Sequence, residues 1–250
     1  MKALILAAGR GQRMNPLTQT TPKPLLTVHG KALIEWHIES LARAGVREIV
    51  INTAWLEEQF PATLGHGEKW QVRLQYSAEG RQYGGALETA GGMASALPLL
   101  NIEGDTPFWV VSGDIYAPEF SFSQDAFDRF AHSPFAAHLW LVPNPPYHPR
   151  GDFALTPQGL AIRPLEFGDT TYTYANLALV RPSLVAAVSS GTTAPLGPIL
   201  HEAADSQRLS AELWMQRWEN VGTPAQLQAL NSEAKSAAPP LCTTEYPTKY

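Results

Sequence analysis

Between residues 9 and 23 the chain gathers groups suited to holding a polyphosphate. Gly9-Arg10-Gly11-Gln12-Arg13 follows directly on the short apolar run Ala3 to Ala8. Closely spaced glycines after a strand let backbone amides approach phosphate without interference from Cβ. Two glycines also suit a tight turn, and the basic residues suit a solvated loop. Arg10, Arg13 and Lys23 nevertheless share one loop, and Lys23 stands between Pro22 and Pro24, which fix its backbone and aim its ammonium. A fixed lysine and a fork-shaped guanidinium beside an amide cradle are what a triphosphate requires. Met14 occupies the third position of G-x-G-x-x-G and Asn15-Pro16 follows, so this is not the dinucleotide fingerprint; nor is it a G-x-x-x-x-G-K-[ST] loop.

A second acidic site follows from Asp114, which comes after the apolar run Phe108 to Ser112 and Gly113. Its carboxylate is expected at the C-terminal edge of a strand, where ligands of open α/β sheets bind. Mg²⁺ is commonly held by one or two carboxylates together with substrate phosphates, so one such Asp is chemically sufficient to anchor it. No His-x-x-x-His spacing and no Gly-x-Ser-x-Gly elbow occur, which argues against zinc hydrolysis and serine catalysis.

The elements that must position these groups are legible in outline. Lys2 to Ala8 reads as a buried strand, Lys31 to Ala44 as a helix stopped by Gly45, and Glu48 to Asn52 as a second strand. Trp55 to Leu64 is a weaker helix, Gln71 to Tyr76 a strand, Glu88 to Leu97 a helix ended by Pro98, and Phe108 to Ser112 a buried strand. The alternation predicts a mostly parallel sheet with helices on both faces. Ala136 to Val142, Asp152 to Thr156, Leu160 to Ile162 and Tyr172 to Val180 read as a mixed or antiparallel extension, the floor for a second substrate. Thr223-Pro224-Ala225-Gln226 reads as a helix start with Thr223 as N-cap. We expect one domain over residues 1–231 and a disordered tail over 232–250.

Composition narrows the class. With 250 residues, 44% hydrophobic, 16% charged and a net charge of −5, the chain reads as globular and offers no basic surface for nucleic acid. Cys242 is the only cysteine, which excludes an internal disulfide and favours a reducing compartment. No signal-like segment or membrane-length apolar run occurs, so a cytoplasmic location without membrane contact is expected.

LAAGRGQRM (6–14) followed by TTPKPLL (20–26) resembles the signature of the sugar-phosphate nucleotidyltransferases. The resemblance continues in ETAGG (88–92), VVSGD (110–114), GDF (151–153), YANLALV (174–180) and WENVGT (218–223). Length, NTAW (52–55) and the RGDF segment are most similar to the N-acetylmuramate 1-phosphate uridylyltransferases of cell-wall recycling. The resemblance implies a Rossmann-like three-layer α/β/α sandwich with a mostly parallel mixed sheet. It also implies Mg²⁺-dependent transfer of a nucleotidyl group from UTP or dTTP to a sugar 1-phosphate, releasing pyrophosphate. Glucose or mannose 1-phosphate is the alternative acceptor, and a nucleotide-sugar sensor the alternative class.

By the same resemblance, Arg13, Lys23 and Asp114 are catalytic, and Ala7, Ala8, Gly9, Arg10, Gly11, Gln12, Arg13, Lys23, Glu79, Thr89 and Gly91 bind the nucleotide, with Glu79 reading the base. Asp114, Gly151, Glu166 and Asn176 are implied for the sugar, and Asp152, an extra acidic residue of that region, is expected beside them. The family's second metal carboxylate falls at Asn220, so Asp114 and Asn220 are the implied metal ligands. An amide oxygen can coordinate Mg²⁺, though without the charge.

Overall fold

Strand Lys2–Leu6 (β1) is apolar on both faces because both are covered: Ala3, Leu4 and Ile5 are fully buried. This is the centre of the computed structural model, which describes residues 1–164 and 170–236. A loop of three short 3₁₀ turns and a small hairpin, Thr27–Val28 (β2) with Lys31–Ala32 (β3), leads into helix Leu33–Arg43 (α1). Glu48–Thr53 (β4), Gln59–Leu64 (α2) and Arg73–Ala78 (β5) come next. Helices Glu79–Tyr83 (α3) and Glu88–Leu100 (α4) then precede Phe108–Ser112 (β6) and Ile115–Tyr116 (β7). Gln124–Ala131 (α5), Ala137–Val142 (β8), Phe153–Leu155 (β9), Ala161–Ile162 (β10) and Thr171–Val180 (β11) form the next stretch. Leu196–Asp205 (α6), Leu209–Leu213 (β12), Glu219–Asn220 (β13) and Pro224–Ser236 (α7) complete the described chain.

The main sheet has nine strands, with β5, β4, β1 and β6 running parallel and β11 added antiparallel to β6. Strand β8 pairs with both β11 and β12, while β9 and β10 branch from the other end of β11. Alternate strand residues enter opposite cores, as a period of two requires. Ala3, Ile5, Ile49, Ile51, Trp109 and Val111 pack on one face; Leu4, Val50, Phe108 and Val110 pack on the other, against α4 and α6. This is the expected three-layer, mostly parallel mixed sheet.

Several boundaries differ from the sequence expectation. Lys31 and Ala32 belong to β3 rather than to α1, and residues 55–58 form turns before α2. Pro98 lies inside α4 instead of ending it. A proline in the last turn removes only one of the final intrahelical bonds, and the Asn101 N–H, in a left-handed residue, closes the helix on Leu97 O at 3.1 Å. Residues 232–236, expected as tail, continue α7. Residues 237–250, with Cys242, lie outside the described residues.

Candidate active site

A cleft of about 570 Å³ opens beyond the C-terminal ends of β4, β1 and β6. Its wall includes all seven residues from Ala7 to Arg13, together with Lys23, Thr89 and Asp114. Gly11 is demanded locally: its φ is +61°, and an added Cβ would lie 3.1 Å from both Lys23 Cβ and Thr18 Cγ2. Gly9 is different, since a Cβ there would meet no protein atom within 4 Å. The space beside Gly9 belongs to the cleft, which fits close approach by a ligand. Thr18 Oγ1 donates to Gly11 O at 2.9 Å, and Trp55 Nε1 donates to Thr18 O at 2.8 Å. Arg10 lies over the Trp55 ring, 4.7 Å from its centroid.

Lys23, only 5% exposed, donates from Nζ to Asp114 Oδ2 at 2.6 Å. Asp114 stands where the sequence put it, just beyond β6; Gly113 N–H donates to Leu6 O and holds that turn against β1. The next residue begins β7, which pairs Ile115 with Asn220 of β13. Asn220 therefore lies beside the Asp114 turn, although it does not line the cleft itself. Its Oδ1 is buried without a hydrogen-bond partner. A buried orphan acceptor on the strand paired beside the Asp114 turn fits a divalent cation, whose ligands are oxygens. Beneath β7, fully buried His37 contacts Ile115 O through Nε2 at 2.9 Å, and burial lowers its pKa to about 4. The neutral ring therefore donates to that carbonyl.

The β4 side departs from expectation at Glu79. Fully buried, it accepts from Asn52 Nδ2 at 2.7 Å and from Leu87 N–H at 2.8 Å, and it does not face the cleft. Burial pushes its carboxyl above the ordinary carboxylate range, against those two hydrogen bonds. Asn52 Oδ1 in turn accepts from Ala7 N–H at 2.7 Å. In the free fold Glu79 braces β4, the glycine loop and residue 87. Gly91 does not line the cleft either: a Cβ would fall 2.1 Å from Thr192 O, so packing against residues 192–194 explains the glycine.

Of the residues expected at the sugar, Asp114 lines the cleft, whereas Gly151, Asp152 and Asn176 do not. Gly151 has φ +58°, and a Cβ there would fall 2.5 Å from Asn144 Oδ1, which marks it as a turn glycine. Asp152 accepts from Tyr174 N–H at 2.8 Å and contacts His148 Nε2 at 3.0 Å. Asn176, with φ +58°, sits in a register shift of β11 just before Leu177, the partner of Val111. That bulge brings it beside the Ser112 end of β6, and Trp218 Nε1 secures it by donating to Ala175 O at 2.9 Å. Glu166 lies outside the described residues.

Asn52, Ala86, Glu88, Ser112 and Gly222 line the cleft without having been singled out in the sequence. The rule that located Asp114, a polar residue at the C-terminal end of a parallel strand, also applies to Asn52 and Ser112. Gly222 is adjacent to the Arg13 guanidinium, whose Cζ would lie 3.7 Å from a Cβ placed there.

A strand-to-glycine cradle, a buried lysine and a strand-end aspartate are the parts of a nucleotide-handling transferase. The profile of the Nucleotidyl transferase family matches residues 2–145, and the chain belongs to that family. More particularly, it is 46% identical over 230 residues, 91% of this chain and 96% of the relative, to N-acetylmuramate alpha-1-phosphate uridylyltransferase of Neisseria meningitidis. UTP–glucose-1-phosphate uridylyltransferase of Synechocystis is 36% identical over 119 residues, 46% of this chain and 30% of that protein. A Bacillus anthracis structure described as a candidate glucose-1-phosphate thymidylyltransferase superposes with a TM-score of 0.77 at 21% identity. That superposition covers 95% of this chain and 96% of the other, and it establishes the shared fold.

Proposed function

We propose that this nucleotidyltransferase transfers the uridylyl group of UTP to N-acetylmuramate α-1-phosphate, yielding the nucleotide sugar and pyrophosphate, as a cytoplasmic step of cell-wall recycling. The observation that carries this reading is the 46% identity along almost the whole of both chains to the Neisseria uridylyltransferase. The cleft supports the chemistry. A sugar-phosphate oxygen, already ionised at neutral pH, attacks the α-phosphorus; the bond to the bridging oxygen breaks, and pyrophosphate carries away the electron pair. No protein nucleophile is required.

The chain's own residues position and neutralise charge. Amides of residues 8–11 face the phosphates, Arg13 and Lys23 offset their charge, and Asn52 and Glu79 hold the loop at Ala7. Asp114 and Asn220 Oδ1 would hold Mg²⁺, which when bound supplies further neutralisation of the phosphates. Among the described residues no group of three or more acidic, His or Cys side chains gathers around one point, so phosphate oxygens would complete the coordination.

The test is pyrophosphate release by the purified protein across a panel of triphosphates and sugar 1-phosphates. UTP with N-acetylmuramate α-1-phosphate should give the highest kcat/KM. A glucose or mannose 1-phosphate optimum would overturn the acceptor, and nucleotide binding without turnover would favour the sensor.

A further inference from the structure

Cations stand at two places on the cleft wall. Lys23 and the Arg13 guanidinium lie toward Asp114 and residue 222, and Arg10 lies over Trp55, just past β4. Asn52, Ala86, Glu88 and Thr89 also line the cleft. Phosphates belong with the cations. A carboxylate on the same wall repels them and suits a neutral group that offers hydrogen-bond donors.

Glu88 is that carboxylate, and its backbone is unusual. It is exposed in the cleft with φ +61°, a left-handed conformation that costs a side-chain-bearing residue and would cost glycine nothing. Both flanks are fixed. Leu87 N–H donates to Glu79, Ala194 N–H donates to Leu87 O, and the N–H groups of Ala90 and Gly91 both donate to Ala194 O. Those last contacts occupy two of the four N–H groups that the start of α4 leaves without intrahelical partners. The strain is held by the surroundings, yet the Glu88 carboxylate has no hydrogen-bond or ion-pair partner among the described residues. A strained, unpartnered carboxylate on the wall of a cleft does nothing for the free fold.

Resting on the proposed function above, we infer that Glu88 is a specificity residue whose carboxylate accepts a hydrogen bond from the nucleoside of the bound triphosphate. Two donors carry that chemistry: the ribose hydroxyls and the imide N–H of uracil. Deoxyribose lacks the 2′-hydroxyl, and cytosine presents an acceptor where uracil presents the N–H, so dUTP leaves the carboxylate unsatisfied if the ribose donates, and CTP does so if the base donates.

Binding of UTP, dUTP and CTP, each with Mg²⁺, to the full chain tests this by calorimetry and needs no turnover. The unaltered protein should bind UTP at least ~10-fold more tightly than one of the two analogues, the range expected for a hydrogen bond to a charged acceptor. In Glu88→Gly that preference should fall to within ~3-fold, with a Tm equal to or above that of the unaltered protein because the strain is gone. Glu88→Gln keeps an acceptor oxygen and loses the charge, so its preference should fall between. Loss of the UTP-over-dUTP ratio assigns the ribose, and loss of the UTP-over-CTP ratio assigns the base. Ratios near one in the unaltered protein, or unchanged in both variants, overturn the inference. Absence of any triphosphate binding would overturn the underlying function instead.

Discussion

Lys23 and Asp114 neutralise one another across 2.6 Å in the free cleft, so a triphosphate and its metal must exchange partners with both. Lys23→Met should therefore lower kcat by about 100-fold, the scale of losing one electrostatic stabiliser, while circular dichroism stays native. Asn220 makes a sharper test, because it contributes a neutral oxygen beside Asp114. Asn220→Asp should lower the Mg²⁺ concentration for half-maximal velocity and tighten Mn²⁺ binding to the protein–UTP complex. Asn220→Ala should move both the other way; if neither variant shifts either curve, the buried Oδ1 is only a loop atom. At this scale the sequence was most readable where neighbours along the chain carry the chemistry. Residues 7–13, Lys23 and Asp114 needed only local spacing and a strand end. The bracing contacts of Glu79 were not legible because its partners, Asn52 and Leu87, lie 27 and 8 residues away, and only the fold reveals that its oxygens meet them.

Among the elements, α1 supports the turn at Asp114 and Ile115 from beneath through His37. Burial lowers its pKa to about 4, with the Ile115 carbonyl and the Asp114 charge pulling it back up. The folded pKa thus lies below the unfolded value near 6.5, so the neutral ring's contribution is complete above about pH 6.5 and is lost as pH falls toward 4. The loss is at most about 1.4 kcal/mol per pH unit in that window. His37→Gln, which can still donate to Ile115 O, should show a shallower fall of Tm between pH 6.5 and 4.5 than the unaltered protein; parallel curves would exclude His37 as the source. Strands were legible because both faces of the parallel sheet are covered, leaving continuous apolar runs such as Phe108 to Ser112. Helices α5 and α6 were not read: α5 buries only Phe127 and Phe130, and α6 begins with Leu-Gly-Pro, which mimics a loop. Ser123, whose Oγ accepts from Ala126 N–H, was the available signal for α5.

At the scale of the whole molecule, the family match ends at residue 145, yet Gly222 lines the cleft and residues 219–220 pair beside it. Strand β13 pairs with β7, and α7 packs Leu227 and Leu230 with Met14, Val28, Leu33 and Tyr116. Asn231 joins the two ends, accepting from His29 N–H and donating to Thr27 O. The N-cap is as the sequence indicated: Thr223 Oγ1 accepts from Gln226 N–H, and Gln226 Oε1 accepts from Gly222 N–H. What the sequence did not disclose is that this helix folds back onto the hairpin after the loop, a contact of more than 200 residues' separation. Deleting residues 219–250 should abolish pyrophosphate release and expose the Met14–Tyr116 cluster to a hydrophobic dye, while far-ultraviolet dichroism retains the sheet. There is a consequence for the order in which the protein is made. The phosphate cradle is synthesised some two hundred residues before the helix that packs on Met14 at its edge, so a nascent chain carries the cradle without that support until the helix has followed.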